Sequence, residues 1–144
     1  MIKIATKDEA VVVAKLAIQM WEDNSIEGLT EEFIELIEKD DAQIFIKFVQ
    51  DKAVGFAQCQ LRYDYVEGTE TSPVGYLEGI FVEEEYRGKG FAQELLSECQ
   101  KWAKKKGCQE FASDCELDNI TSLKFHNAMG FEEANRIICF TKKL

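Results

Sequence analysis

A strand, a glycine-containing loop and a helix follow one another directly in the middle of the chain, and this succession constrains the fold more than any other feature. The strand is predicted over Val74–Val82, where apolar residues surround Glu78 and Gly79. The loop reads Arg87-Gly88-Lys89-Gly90, and apolar residues then recur at helical spacing from residue 91 to 103. Glycine inside a strand often marks a bulge or a close approach by a ligand. The sequence therefore predicts a layered α/β fold.

The same loop has the composition of an anion site. Free backbone N–H groups of the loop and of the first helical turn can converge on a phosphate, and Arg87 and Lys89 add full positive charges. The spacing is not that of a P-loop, because no Gly-Lys-Ser/Thr follows. It is not a dinucleotide-binding motif either, because Gln93 occupies the third glycine position. Taken alone, the loop fits an ordinary strand-to-helix turn equally well.

The remaining patterns predict five more strands before or after this unit, two helices ahead of it and one behind it. Thr6 and Glu9 have the spacing of a capping box for a helix that ends near Trp21, and Thr30 can cap a second helix after a loop at residues 24–28. A hairpin is expected from residue 42 to 65 with its turn at Asp51-Lys52. The other expected elements are strands at 2–5, 109–115 and 134–141 and a helix at 119–129 closed by Gly130.

Length and charge exclude several classes of protein. The 144 residues fit one domain, 1–144, and the formal net charge of −10 repels phosphate backbones and favours a cationic partner, although acidity also serves solubility alone. No apolar run approaches a membrane span and the N-terminus lacks the layout of a signal peptide, so we expect a cytoplasmic protein. Five cysteines without a C-x-x-C spacing predict neither a disulfide framework nor a metal site.

Three motifs in order carry a family resemblance. Arg87-x-x-Gly90-x-Ala92, the preceding Glu78-Gly79-Ile80-Phe81-Val82, and the segment from Asn119 through Gly130-Phe131 together resemble the GNAT superfamily of acetyl-CoA-dependent N-acetyltransferases. The resemblance covers the whole chain in element order. It implies a central mixed, mostly antiparallel sheet flanked by helices and splayed between the strands of Glu78 and Asp114.

The resemblance also implies how acetyl-CoA would bind. The pyrophosphate would lie on the loop and first helical turn, formed by Arg87, Gly88, Lys89, Gly90, Phe91 and Ala92. The pantetheine arm would run along Ile80, Phe81 and Val82 as an extra strand, and Asn119 would contact it. A plain N-cap is the alternative role for Asn119.

Within the superfamily, the chain resembles the aminoglycoside 6′-N-acetyltransferases in several segments. These include Arg62-Tyr63-Asp64-Tyr65-Val66-Glu67-Gly68, Ser72-Pro73-Val74, Lys106-Gly107-Cys108 and Ala112-Ser113-Asp114. The resemblance implies that Trp21, Tyr65, Glu78 and Asp114 line the antibiotic pocket, where carboxylates suit a polycation. Asn24 and Asn135 depart from the pattern of relatives with histidine and glutamate there, which leaves the substrate range open.

The chemistry needs a group that takes a proton from the substrate ammonium. Asp114 and Glu78 are both candidates, with Asp114 slightly favoured as the base, and the sequence does not separate their roles. A backbone N–H near Ile80 would stabilise the oxyanion. His126 stands where many superfamily members have a tyrosine, so it could protonate the departing thiolate, or it could be structural. Trp21 could likewise stack on a sugar ring or pack in the core.

Two other functions stay open at this stage. The same scaffold could acetylate a polyamine or another small amine, since an acidic pocket suits any polycation. Alternatively, the chain could bind coenzyme A as a sensor and transfer nothing. The resemblance suggests a homodimer in which the last strand is exchanged or pairs at an edge.

Overall fold

The computed structural model describes all residues, 1–144, and its centre is one five-stranded sheet. The strands lie in chain order: β1 (Ile2–Ile4), β2 (Ala42–Val49), β3 (Lys52–Arg62), β4 (Val74–Val82) and β5 (Phe111–Ser113). The first four pair antiparallel, and β5 pairs parallel to β4. The predicted mixed, mostly antiparallel sheet is therefore confirmed, and β4 has the predicted bounds.

Four α-helices flank the sheet, and the alternation of side chains along the strands separates two cores. The helices are α1 (Ala10–Ala17), α2 (Ile26–Ile37), α3 (Phe91–Lys105) and α4 (Ile120–Ala128), with short 3-10 turns at Lys7–Glu9 and Glu84–Tyr86. Ile44 and Ile46 of β2 face α1 and α2, whereas Phe45 between them packs with Leu95 and Leu96 of α3. No helix combines the length and the apolar character that a membrane crossing needs.

A bulge and an early end of pairing open the sheet at β4. Gln58 of β3 pairs with Gly79, but the next residue, Cys59, pairs with Leu77, so Glu78 is the extra residue of a β-bulge. On its other side β4 pairs with β5 only from Gly75 to Leu77. Residues 78–82 therefore have no strand neighbour on that side, and we call the space between them and the chain beyond Ser113 the wedge.

The structure corrects the predicted start of the second helix and the predicted end of the first. Ser25 is the N-cap of α2, and its side-chain oxygen accepts a hydrogen bond from the Gly28 N–H at 3.0 Å. Thr30 lies inside the helix, where its hydroxyl donates to the Ile26 carbonyl at 2.7 Å. The sequence contains two capping candidates five residues apart, and the earlier one satisfies the first turn. The first helix ends at Ala17, and turns lead on to Trp21.

The predicted last strand at residues 134–141 is absent, and the predicted strand at 109–115 is only three residues long. Residues 132–144 are all exposed and have no regular secondary structure. A strand needs a neighbour to satisfy its backbone groups, and none is provided for this segment within the chain. The prediction of a strand here is therefore wrong for the single chain.

Candidate active site

The loop between β4 and α3 presents free backbone N–H groups at the start of the helix. Gly88 and Gly90 have φ values of +77° and +82°, a conformation that favours glycine, and Gly90 is the N-cap of α3. No side chain caps the helix, and nothing lies within 4 Å of where a Cβ at either glycine would stand. The exposed end of a fifteen-residue helix therefore fits a phosphate-bearing ligand.

Arg87 ties this loop to the end of β4. Its Nε donates to the Val82 carbonyl at 2.8 Å, and its guanidinium carbon lies 5.4 Å from the centre of the Phe81 ring. Lys89 is exposed and forms no ion pair with a side chain of the protein. Arg87 thus holds the loop in position, and Lys89 carries the cation that remains available to a ligand.

The free edge of β4 leads from this loop to the wedge. Ile80, Phe81 and Val82 pair on one side with Ala57, Phe56 and Gly55 of β3. On the other side β5 has already ended, so backbone groups of this stretch are available to an extended ligand. The predicted coenzyme A residues on β4 and in the loop consequently form one continuous path.

Four polar side chains form a network at the mouth of the wedge. Arg62 donates to both oxygens of Glu78, from Nε at 3.1 Å and from Nη2 at 2.8 Å. The same guanidinium lies over the Tyr76 ring, 3.4 Å from its centre, and the Tyr76 hydroxyl donates a hydrogen bond to Oδ2 of Asp114. The two predicted carboxylates thus meet through Arg62 and Tyr76, neither of which the sequence singled out as a site residue.

This network gives the two carboxylates different environments. Both oxygens of Glu78 are occupied by Arg62, and that bond raises the pKa of the Arg62 guanidinium. Asp114 is exposed, and its Oδ1 accepts no hydrogen bond from the protein. Burial, then the hydrogen bond to Asp114, raise the pKa of Tyr76 well above its ordinary value, so Tyr76 remains a donor at neutral pH.

Trp21 packs in the core, which is one of the two roles that the sequence left open. Its ring packs against Phe33 and Phe56 of the core, with ring centres 6.5 and 6.2 Å apart. Its outer edge covers Gly79, where an added Cβ would come within 2.7 Å of the indole. Gly79 is therefore required by the close approach of Trp21 beside Glu78, and Trp21 forms one wall of the site without lying free in it.

Tyr65 lies in the loop between β3 and β4 and is 76% exposed. That loop is fastened to the residue before β5 by Glu110, whose Oε1 accepts bonds from the backbone N–H groups of Glu70 at 2.9 Å and Thr71 at 2.8 Å. A hydrogen bond from the Thr71 hydroxyl, followed by these two backbone bonds, lowers the pKa of Glu110. Glu110 was not among the predicted residues, because its partners lie some forty residues earlier in the chain.

Helix α4 brings Asn119 and His126 to the other side of the wedge. The Asn119 side-chain oxygen accepts the Ser122 N–H at 3.1 Å, which is the N-cap role. His126 Nδ1 lies 2.7 Å from the Ser122 carbonyl, and Nε2 lies 2.8 Å from the hydroxyl oxygen of Ser113. The ring is flanked by Phe125 and Phe131 at 5.8 and 5.1 Å between centres. Ser113 is a further residue that the sequence did not indicate.

Comparison with known proteins agrees with this architecture. A family model described as the acetyltransferase (GNAT) family matches residues 12–131, so the chain belongs to the GNAT acetyltransferases. Aminoglycoside N(6′)-acetyltransferase type 1 of Salmonella typhimurium is 39% identical over 125 residues, which are 87% of this chain and 86% of the relative. The same protein of Serratia marcescens is 39% identical over 145 residues, covering 100% and 99%. Within the GNAT proteins, the chain belongs to this aminoglycoside N(6′)-acetyltransferase group.

A solved structure of a related protein has the same fold. Aminoglycoside N-acetyltransferase AAC(6′)-Iy in complex with CoA superposes with a TM-score of 0.97 at 36% identity and covers 100% of this chain and 95% of that one. The expected superfamily, enzyme class and fold are therefore confirmed.

Proposed function

We propose that the protein transfers the acetyl group of acetyl-CoA to the 6′-amino group of aminoglycoside antibiotics and thereby confers resistance to them. The observation that carries this proposal is the wedge. The wedge lies between the loop before α3, which fits a pyrophosphate, and Asp114, whose carboxylate keeps one oxygen free. The relatives of the chain are named for this reaction. A homologous structure holds a bisubstrate analogue that joins CoA to an acetylated neamine, which supports the same assignment.

Acetyl-CoA is the co-substrate, and the residues of the chain fit it. Gly88, Lys89 and Gly90, with the N–H groups of Phe91 and Ala92, would hold the pyrophosphate, because the helix end is uncapped and open. Arg87 would contribute its charge while holding the loop to β4. Ile80, Phe81 and Val82 would pair with the pantetheine arm, and the amide nitrogen of Asn119 is left for it by the capping bond. When bound, acetyl-CoA supplies the thioester.

Asp114 is the proposed base. Its Oδ2 is held by Tyr76, which fixes the carboxylate, and Oδ1 can accept a proton from the 6′-ammonium directly or through a water. Because Arg62 already binds both oxygens of Glu78, we do not propose Glu78 as the base. Its proposed role is to position the amine and to add negative charge to the site. A backbone N–H near Ile80 stabilises the oxyanion, since the free edge of β4 points into the wedge.

Trp21 and Tyr65 form the proposed walls for the antibiotic. Trp21 presents an edge beside Glu78, and Tyr65 presents an exposed ring on a loop that Glu110 fastens. The net charge of −10 raises the local concentration of a polycation. These features also suit a polyamine, so the aminoglycoside relatives decide between the two substrates.

The test of this function compares three amines. We expect acetyl-CoA-dependent thiol release with kanamycin, which has a 6′-amine, and none with paromomycin, which has a hydroxyl there. Spermidine should give little release. Equal release with kanamycin and paromomycin would assign another amine, and release with spermidine alone would assign polyamine acetylation. Binding of acetyl-CoA without release for every amine would indicate a sensor.

We also propose that the protein acts in the cytoplasm, where acetyl-CoA is made, and as a homodimer. Residues 132–144 carry Ile137, Ile138 and Phe140, which are exposed and have no core to pack against within the chain. The sheet itself ends in β5, an edge strand of only three residues. Pairing of this segment with a second copy would supply the strand neighbour that the single chain lacks.

A further inference from the structure

Ser113 and His126 form a hydrogen-bonded pair on the face of the sheet opposite Asp114. The Ser113 hydroxyl oxygen lies 2.8 Å from His126 Nε2, whereas the adjacent Asp114 bonds to Tyr76. Leu77, the register partner of Ser113, packs in the core of α3 and α4, while Tyr76 packs with Val66 and Val74 on the other side. Ser113, the last residue of β5, and Asp114, which follows it, therefore send a hydroxyl and a carboxylate to opposite sides of the wedge.

The geometry fixes which nitrogen of His126 carries a proton. A carbonyl oxygen only accepts hydrogen bonds, so Nδ1, at 2.7 Å from the Ser122 carbonyl, bears hydrogen. Nε2 of the neutral ring then accepts a hydrogen bond from the Ser113 hydroxyl. When Nε2 is itself protonated, it donates to the Ser113 oxygen, and the hydroxyl hydrogen turns away from His126, either to the Leu77 carbonyl at 3.5 Å or into the wedge. The ring forms no ion pair, and its contacts are Ser113, Ser122, Phe125 and Phe131, all uncharged.

Ser113 occupies the point where the sheet opens. It is the last residue of β5 that pairs with β4, and its hydroxyl lies 3.5 Å from the Leu77 carbonyl, just before the bulge. A hydroxyl at this place borders the wedge directly, while the imidazole behind it is half-buried on α4. His126 consequently reaches the wedge through Ser113.

We infer that Ser113 protonates the thiolate that leaves acetyl-CoA and takes its replacement proton from His126. The C–S bond breaks as the tetrahedral intermediate collapses. The sulfur then takes the hydroxyl proton of Ser113 as the Ser113 oxygen takes the Nε2 proton of imidazolium. His126 is left neutral with its proton on Nδ1 and regains the other from water. This inference rests on the proposed acetyl transfer and adds Ser113 as a catalytic residue, with His126 acting through it.

A binding measurement tests the pair without turnover. The chain has one histidine, so the imidazole nitrogen signals in an NMR spectrum belong to His126 without assignment. We expect CoA to shift the Nε2 signal. Desulfo-CoA lacks the sulfur, so it should change this signal no more than binding at the loop before α3 does by itself. In Ser113→Ala the two ligands should give the same spectrum. Equal shifts from CoA and desulfo-CoA in the unaltered protein would overturn the inference.

Single-turnover thiol release tests the relay in the reaction. Ser113→Ala and His126→Gln should each slow release about 100-fold, and the double variant should be no slower than either one, because the two groups act as a unit. Ser113→Thr, which keeps the hydroxyl, should retain most of the rate. Thr121→Ala, an exposed hydroxyl on the same helix, is the matched control. Unchanged rates in Ser113→Ala, or multiplicative losses in the double variant, would overturn the relay.

Two further results separate this inference from the proposed function. Turnover by the unaltered protein with kanamycin tests the function, and the ratio of variant to unaltered rates tests the relay with any amine that is accepted. If the unaltered protein transfers to no amine, both fail. Acid-quenched protein should carry no acetyl group on Ser113 by mass spectrometry, and an acetylated Ser113 would overturn the relay in favour of a nucleophile.

Discussion

At the scale of single residues, hydrogen bonding separates two carboxylates that the sequence leaves equivalent. Glu78 and Asp114 were both predicted on strands that frame a cleft, which says nothing about their partners. In the structure Arg62 occupies both oxygens of Glu78, while Asp114 keeps one oxygen free. A carboxylate with a free lone pair is the better proton acceptor, so the structure supports Asp114 as the proposed base.

Replacement of Asp114 tests that role. We expect Asp114→Asn to lower kcat for kanamycin about 100-fold or more, because the amide accepts no proton, while Tyr76 can still donate to its oxygen. Binding of acetyl-CoA by calorimetry should be unchanged. Asp118→Asn removes a charge from an exposed residue ahead of α4 and is the control, expected within twofold of the unaltered enzyme. A kcat for Asp114→Asn equal to that of Asp118→Asn would contradict the assignment.

Tyr76 gives a prediction for alkaline pH. Its folded-state pKa is raised, first by burial and then by the bond to Asp114, so above about pH 10 the unfolded chain loses a proton that the folded chain keeps. Stability from this residue is therefore full below that pH and is lost as pH rises above it. We expect the melting temperature to fall more steeply from pH 9 to 11 in the unaltered protein than in Tyr76→Phe. Tyr63→Phe, at an exposed tyrosine, should follow the unaltered protein.

At the scale of elements, the sequence predicted what depends on local pattern and missed what depends on distant neighbours. The strand Val74–Val82 and the helix start after Gly90 follow from side-chain period and loop chemistry, and both are confirmed. The strand at 134–141 was predicted from the local sequence alone, but whether a strand forms depends on a neighbour to pair with. Ser113 and Arg62 were missed as site residues because their partners, His126 and Glu78, are 13 and 16 residues away. Alternation along β4 places Tyr76 and Glu78 on one face, and that signal was available.

The loop before α3 can be tested with two glycines of matched conformation. Gly90 and Gly107 have φ values of +82° and +93° at opposite ends of the helix, and neither is crowded. Valine at either position should lower the free energy of unfolding by a similar amount, about 1–2 kcal/mol, because it strains the backbone. Only Gly90→Val should also weaken CoA binding, at least tenfold by calorimetry, since it disturbs the N–H groups of the first turn. Equal CoA affinity in the two variants would contradict the assigned loop.

At the scale of the whole molecule, one end of the sheet stays unfinished in the single chain. The antiparallel strands continue in sequence order, but β5 is short, and the exposed segment 132–144 has apolar side chains without a core. Such an edge invites pairing with another chain. The proposed homodimer would therefore complete the fold beside the wedge.

An acidic residue in that segment tests the proposed dimer. Ile138 is 81% exposed, so Ile138→Asp should cost the monomer little, yet it should bury a charge where two copies meet. Light scattering after gel filtration should show a dimer for the unaltered protein and a monomer for Ile138→Asp. Leu117→Asp, at a position 74% exposed outside the segment, should remain a dimer. Dimers in both variants would place the interface elsewhere.

The position of the acetyl group on the antibiotic tests the whole account most directly. Kanamycin incubated with the protein and acetyl-CoA should gain one acetyl group, and fragmentation together with NMR of the product should locate it on the 6′-nitrogen. That outcome requires the loop, the free edge of β4 and the carboxylates to act on one substrate in one orientation. Unmodified kanamycin, or an acetyl group on another amine, would contradict it.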